Sequence, residues 1–317
     1  MPDASSFAAP VLCNLCGADD CDILFDHGVA QSARIVKCRQ CGLIYANPRG
    51  RPVDHEDYEG AEPEGLLQGL ETDTGHRFRW RYDKEKFQTR DFDDTFRLLQ
   101  RLHPDKGHVV EVGSSLGFLL RRFIDDGWQA TGVDPWRELP AFTREVQGFD
   151  TIPLTLEQAA LPAASADVVI LLHVIEHVPD PLATLREIWR VLKPGGHMVL
   201  ETPRYDTVMF KLMGRRERSL RMDGHIYFYT DETLKQSVET VGFKEVEMRH
   251  VGRSLSAERF IWNAANILRN PRLTDKATAA ARRIGLANLK FHMNLHDMVR
   301  IVAEKPKDAA GAGNPMA

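Results

Sequence analysis

Residues 108–134 read HVVEVGSSLGFLLRRFIDDGWQATGVD, and this stretch decides the fold. His108–Val112 is a short apolar strand, Phe118–Asp126 a helix stopped by Gly127 in the C′ position, and Trp128–Val133 a second strand. Between strand and helix lies Gly113-Ser114-Ser115-Leu116-Gly117, where two glycines let the backbone turn tightly and approach a ligand without a Cβ in the way. The helix that follows points its first N–H groups at the same crevice. A dinucleotide loop has the pattern G-x-G-x-x-G, with a pyrophosphate over those amides. Here the pattern is G-x-S-x-G, preceded by Glu111, and a carboxylate there suits a ligand carrying an ammonium group. Asp134 ends the second strand about 20 residues after the loop, the spacing of a carboxylate that binds a ribose diol. A helix cap before Pro135 is the plainer role for it.

Moving toward the C-terminus, the alternation continues. Ala166–His173 is a continuous apolar run, as in a strand covered on both faces. Asp180-Pro181 caps a helix whose stripe is Leu182, Leu185, Ile188, Trp189 and Leu192, and Lys193-Pro194-Gly195-Gly196 ends it. His197–Thr202, Phe243–Met248 and Met298–Ala303 are further strands. Right-handed crossovers between such strands give an α/β, Rossmann-like, doubly wound sheet of seven strands with its crevice at the strand C-termini. This domain is expected over 107–305, with a helical insert at about 252–294 carrying Phe260, Ile261, Ala264 and Leu268 on one face. The small polar residues of 306–317 are expected to be a disordered tail.

Toward the N-terminus the sequence changes character. Residues 1–50 hold Cys13-x-x-Cys16 and Cys38-x-x-Cys41, each pair followed by glycine, with Cys21 to spare. Two such pairs predict a closed tetrahedral site for a structural Zn²⁺ with ligands Cys13, Cys16, Cys38 and Cys41; a single pair would read equally as a redox motif. Residues 51–106 form a charged linker and a helical cap, with a helix from about Phe87 to Leu102. Tyr58 and Arg77–Arg81 lie in that segment and are candidates to close over the crevice.

Composition bounds the rest. Of 317 residues, 43% are hydrophobic and 27% charged, enough for a real core, and the net charge of −4 gives no basic footprint, which argues against a nucleic-acid partner. No apolar run reaches the roughly 18–20 residues of a membrane span, and nothing resembles a secretory signal, so a cytoplasmic location is expected.

The motifs EVGSSLG, GVDPW, LPAASADVVILLHVIEHVPDP and VLKPGGHMVLETP, in order over 108–203, resemble those of class I S-adenosylmethionine-dependent methyltransferases. The segment CNLCG…VKCRQCGLIYANPR is similar to the N-terminal zinc module of a bacterial small-molecule group that includes C-methyltransferases of nucleotide-linked deoxysugars. This resemblance implies S-adenosylmethionine as cofactor, with Glu111, Gly113, Ser115 and Gly117 at its methionine part, Asp134 at the ribose, Leu156 and Glu157 flanking the adenine, and His173 beside it. Ser115 departs from the usual glycine.

For catalysis, His173-x-x-Glu176-His177 resembles the E-x-x-E-H cation motif of quinone and RNA 2′-O-methyltransferases, with histidine in place of the first glutamate. Glu176 and His177 also suit a direct contact with cofactor or acceptor, or a purely structural role. Asp223-Gly224-His225-Ile226-Tyr227-Phe228-Tyr229 resembles the E-H-x-x-Y segment of the sugar enzymes, with Gly224 where they have glutamate, and His225 is the candidate acid–base group. The basic run 204–222 is a candidate for phosphate contacts or a solvated helix face. The expected function is methyl transfer to a small-molecule acceptor, a sugar, polyketide-like or lipid-like compound, in a biosynthetic pathway. The competing readings are an RNA methyltransferase that uses the zinc module for recognition, and a non-catalytic protein that binds S-adenosylmethionine.

Overall fold

The computed structural model describes residues 10–26, 34–48, 89–214, 224–257 and 289–308, with a few isolated positions between them. Tyr58, Arg77–Arg81, Phe260, Ala264 and Leu268 fall outside the described residues. In chain order, the N-terminal strands are β1 (Cys21–Phe25), β2 (Ile35–Cys38) and β3 (Ile44–Ala46), followed by helix α1 (Thr89–Leu102). Next come β4 (His108–Val112), α2 (Phe118–Asp125), β5 (Gln129–Val133) and α3 (Leu139–Phe142), which runs on as a π turn over Thr143–Gln147. After these come β6 (Thr151–Ile152), α4 (Leu156–Ala159), β7 (Ala166–Leu172), α5 (Pro181–Val191), β8 (Leu192–Pro203) and α6 (Val208–Met213). The chain closes with β9 (Tyr227–Phe228), α7 (Asp231–Thr240), β10 (Lys244–His250), β11 (Arg253–Ser256), β12 (Lys290–Met293) and β13 (Met298–Glu304).

The expected seven-stranded sheet is present, in the order β10-β13-β8-β7-β4-β5-β6. Strands β8, β7, β4, β5 and β6 are parallel, and β13 is antiparallel to both β8 and β10. The winding reverses between β4 and β7, which opens a crevice beyond their C-terminal ends. The apolar run of β7 explains its central place. Val169 and Leu171 enter one core, while Val168 and Ile170 enter the core on the opposite face. Each such side chain contributes about 1.5–3 kcal/mol by leaving water. On the first face the sheet is covered by Leu182, Leu185 and Ile188 of α5, and on the second by Leu98 and Leu99 of α1 with Phe123 and Trp128.

Asp180 caps α5 as its sequence predicts, its carboxylate accepting from Ala183 N at 2.9 Å. Strand β8 starts earlier than the sequence suggests, at Leu192, and passes through a register shift before His197 pairs with Val168. Lys305 closes that corner by donating to Trp189 O and Leu192 O, carbonyls at the end of α5. Strand β6 has two residues, too few for a periodic signal.

A second, four-stranded sheet has the order β1-β2-β3-β9. Its first three strands come from the cysteine-bearing segment, but its fourth comes from residues 227–228. Cys13, Leu15, Val36, Cys38, Leu43 and Tyr45 share one core with α5. Among the described residues, no helix is long and apolar enough to cross a membrane.

Candidate functional site

Three constructions hold the candidate residues. The first is the loop after β4. Gly113 and Gly117 both have positive φ (71° and 75°), the region that glycine occupies at least cost. A Cβ on Gly113 would lie 2.4 Å from Val174 Cγ2, and one on Gly117 would lie 2.4 Å from Phe149 Cζ, so the loop has no space for side chains at either position. Ser115 is also left-handed (φ 47°), a conformation that costs a non-glycine residue about 1 kcal/mol or more. Its N–H donates to Asp134 Oδ2 at 2.9 Å, and Trp136 N donates to Oδ1 at 3.0 Å. Asp134 therefore ties the loop after β4 to the turn after β5. Glu111 is 5% exposed, on the last turn of β4 beside Gly132 of β5. Two buried carboxylates on neighbouring strands, Glu111 and Asp134, with a glycine-flanked loop between them, match the chemistry of a ligand that carries an ammonium group and a ribose diol, as the cofactor implied by the sequence motifs does.

Of the remaining expected cofactor residues, Leu156 is fully buried in the core beneath α4. Glu157 accepts from Thr184 Oγ1 at 2.6 Å, which turns it toward α5. His173 has φ 58° at the exit of β7, donates its backbone N–H to Glu201 O at 2.8 Å, and leaves its side chain 42% exposed.

The second construction joins the two catalytic candidates. Glu176, His177 and His225 each present a ligand-type atom within 4.8 Å of the others. The rings of His177 and His225 meet edge to face at 4.6 Å. Glu176 is 1% exposed, and Thr202 Oγ1 donates to its Oε2 at 3.0 Å. Burial alone would push this carboxyl up. The neighbouring His173, with Nδ1 3.7 Å away, and the imidazoles of His177 and His225 instead hold it down at about 2. A buried carboxylate in its ionised form beside two imidazoles is placed to orient them. Tyr205 Oη lies 3.3 Å from His225 Nδ1. Gly224 leaves no slack here, because a Cβ on it would sit 3.0 Å from His177 Nδ1. On the other side of His173, Arg300 donates from both Nε and Nη2 to Glu201 Oε2 at 2.9 and 2.8 Å, a buried ion pair between register partners on β13 and β8. Sequence reasoning missed Thr202, Tyr205, Glu201 and Arg300. Only their places near the end of β8, or facing it, could have marked them.

The third construction is the cysteine group. The Sγ atoms of Cys13 and Cys41 are 3.4 Å apart, and those of Cys16 and Cys38 are 3.5 Å apart. All four offer atoms within 4.8 Å of one another. Four thiolates around Zn²⁺ stand roughly 3.8 Å from each other, given Zn–S bonds of about 2.3 Å, so the set fits such an ion. Burial pushes the Cys13 thiol up to about 11 and the Cys41 thiol higher still. Cys38 is pulled down to about 7 against its own burial by the N–H groups of Cys41 and Gln40.

Residues 82–248, just over half of the chain, match the family described as a methyltransferase domain. A tRNA U34 carboxymethyltransferase of Sodalis glossinidius is 30% identical over 240 residues, 68% of this chain and 68% of that protein. One from Hydrogenovibrio crunogenus is 27% identical over 226 residues, 66% of this chain and 64% of that protein. A ubiquinone biosynthesis O-methyltransferase of Vibrio parahaemolyticus is 35% identical over a shorter stretch of 101 residues, 30% of this chain and 43% of that protein. The chain thus spans about two thirds or less of the length of these relatives.

These matches correct two expectations. The small-molecule biosynthetic acceptor, and the expectation against a nucleic-acid partner, both give way to long relatives that are named for a tRNA nucleotide, in line with the competing RNA methyltransferase reading. The physical reason is that a net charge of −4 is a property of the whole chain and is blind to one local contact surface.

Proposed function

The chain belongs to the methyltransferase-domain family, and we propose that it transfers a methyl-type group from an S-adenosylmethionine-type donor to a nucleotide of tRNA. The observation that carries this reading is the run of tRNA U34 carboxymethyltransferases related over about two thirds of the chain. When bound, the donor supplies an activated sulfonium carbon, so positioning provides much of the rate.

In this reading Glu111 binds the donor's ammonium group, Asp134 its ribose diol, and the Gly113–Gly117 loop lets the backbone close on it. Leu156, Glu157 and His173 complete the donor's surroundings. His225 faces the acceptor and takes a proton from it where the acceptor atom carries one. His177 packs against it, and Glu176 keeps both rings oriented. Cys13, Cys16, Cys38 and Cys41 hold a structural Zn²⁺. On the module, Arg39 is engaged by Asp20 and Asp22 at 2.9 and 2.6 Å. A reducing compartment, where tRNA also resides, suits both the thiolates and this acceptor.

The test is incubation of the protein with donor labelled in the transferred group, bulk tRNA and a small-metabolite extract. Label recovered in tRNA is expected. Label recovered in the metabolite fraction alone overturns the proposal.

A further inference from the structure

Among the described residues, the cysteine module shares core packing with α5 and sets Phe25 against Phe210 of α6, and two of its hydrogen-bonded contacts with the rest of the chain lie next to the Glu176–His177–His225 cluster. The first Cys pair brackets Asn14. Its Nδ2 donates to Asp180 Oδ1 at 2.8 Å, and its Oδ1 accepts from Leu182 N at 3.1 Å. Asn14 thus grips the start of α5, three residues beyond His177. The second Cys pair sets the turn between β2 and β3, where Cys38 N donates to Leu43 O at 2.9 Å and Gly42 N to Cys38 O at 3.0 Å. Strand β3 then pairs with β9, aligning Tyr45 with Tyr227 and Ile44 with Phe228.

The residue at the junction is Ile226, immediately after His225. Its carbonyl accepts from Ala46 N of the module at 2.9 Å, while its own N–H donates to Glu176 O at 2.9 Å. Tyr227 N also donates to Glu176 O at 3.2 Å, and Tyr227 Oη donates to Pro179 O at 3.2 Å. One residue, Ile226, therefore connects the module, the segment carrying His225 and the segment carrying Glu176 and His177. The Gly113–Gly117 loop and Asp134 are held by bonds to β5, to β6 and to each other.

We infer that the four-cysteine module is a positioning device for the acceptor end of the site, with Asn14 and Ala46 as the residues through which it acts on the His177–His225 pair. The inference rests on the proposed reading of that pair as acceptor-facing. A structural metal site of the ordinary kind stabilises a fold as a whole. Here each Cys pair is wired to one flank of the imidazole pair, so loosening a contact moves the rings relative to each other while the donor cradle stays intact. Misplacement by about 1 Å can cost about 100-fold in rate.

The experiment compares the full chain with Asn14→Ala and Ala46→Pro, neither of which removes a cysteine. Three quantities are read: S-adenosylhomocysteine affinity by calorimetry, kcat on tRNA, and the imidazole ¹⁵N chemical shifts of His177 and His225. The expected result is donor affinity within about twofold of the parent, kcat lowered about 10-fold or more, and shifted resonances for both histidines. Unchanged histidine resonances in both variants overturn the inference, as does a loss of donor affinity equal to the loss of kcat. If the parent protein leaves tRNA unmodified, the tRNA reading fails separately, and the resonances together with donor affinity still decide the positioning role.

Discussion

The proposed donor cradle and the imidazole cluster are built in opposite ways. The cradle comes from one continuous stretch, 111–134, in which two left-handed glycines and one carboxylate set the geometry through local bonds. The cluster needs Glu176 and His177 from the exit of β7, His225 from a segment about fifty residues on, and β3 of the N-terminal module to pin the latter. The difference teaches where each end can vary. A cradle made locally survives changes elsewhere in the chain, whereas a cluster made by tertiary contacts can be retuned by any element that holds it.

Four substitutions separate the two constructions. His225→Phe keeps ring volume and removes the proton acceptor. Turnover on tRNA should fall about 10²–10⁴-fold, the range for a lost acid–base group, while S-adenosylhomocysteine affinity measured by calorimetry stays unchanged. Arg300→Ala leaves Glu201 as a buried carboxylate with its ion-pair partner gone. The melting curve should register about 3–5 kcal/mol of lost stability.

Glu176 supplies a pH test. Its folded-state value lies below the ordinary 4.5, at about 2, so its contribution is fully present above pH 4.5 and is lost as pH falls through that interval. Denaturant titrations at a series of pH values should show about 3 kcal/mol of acid-dependent stability that Glu176→Gln lacks. Asp134→Ala should weaken donor binding and loosen the loop that Asp134 holds. It removes charge-assisted hydrogen bonds worth about 2 kcal/mol in total, which equals roughly 30-fold in S-adenosylhomocysteine affinity, and it frees the Ser115 amide.

The same contrast explains what the sequence could disclose. The central β4–α2–β5 unit, β7 and the Asp180 cap were legible because glycine loops, apolar runs and caps are short-range signals. The four cysteines were legible because thiolates at that spacing have few other uses. Strand β6 and strand β9 escaped, since two residues carry no period. The pairing of β9 with β3 escaped for a further reason: it joins segments some 180 residues apart, and nothing in Tyr227-Phe228 names its partner. His225 could be nominated from its neighbours, but its meeting with Glu176 and His177 depended on that pairing. The acceptor was misjudged because overall charge was allowed to stand for local surface. Leu156 and Glu157 are instructive in another way, since a buried leucine and a carboxylate bonded to Thr184 show how α4 is fastened to α5.

In the proposed reading the donor lies between Glu111 and Asp134, with the imidazole pair at its acceptor side. Calorimetry of S-adenosylhomocysteine against the parent protein, Asp134→Ala and His225→Phe tests this most directly. The predicted result is saturable binding by the parent, equal binding by His225→Phe, and binding weakened roughly 30-fold in Asp134→Ala. Equal affinity in all three proteins, or no binding by the parent, would contradict it.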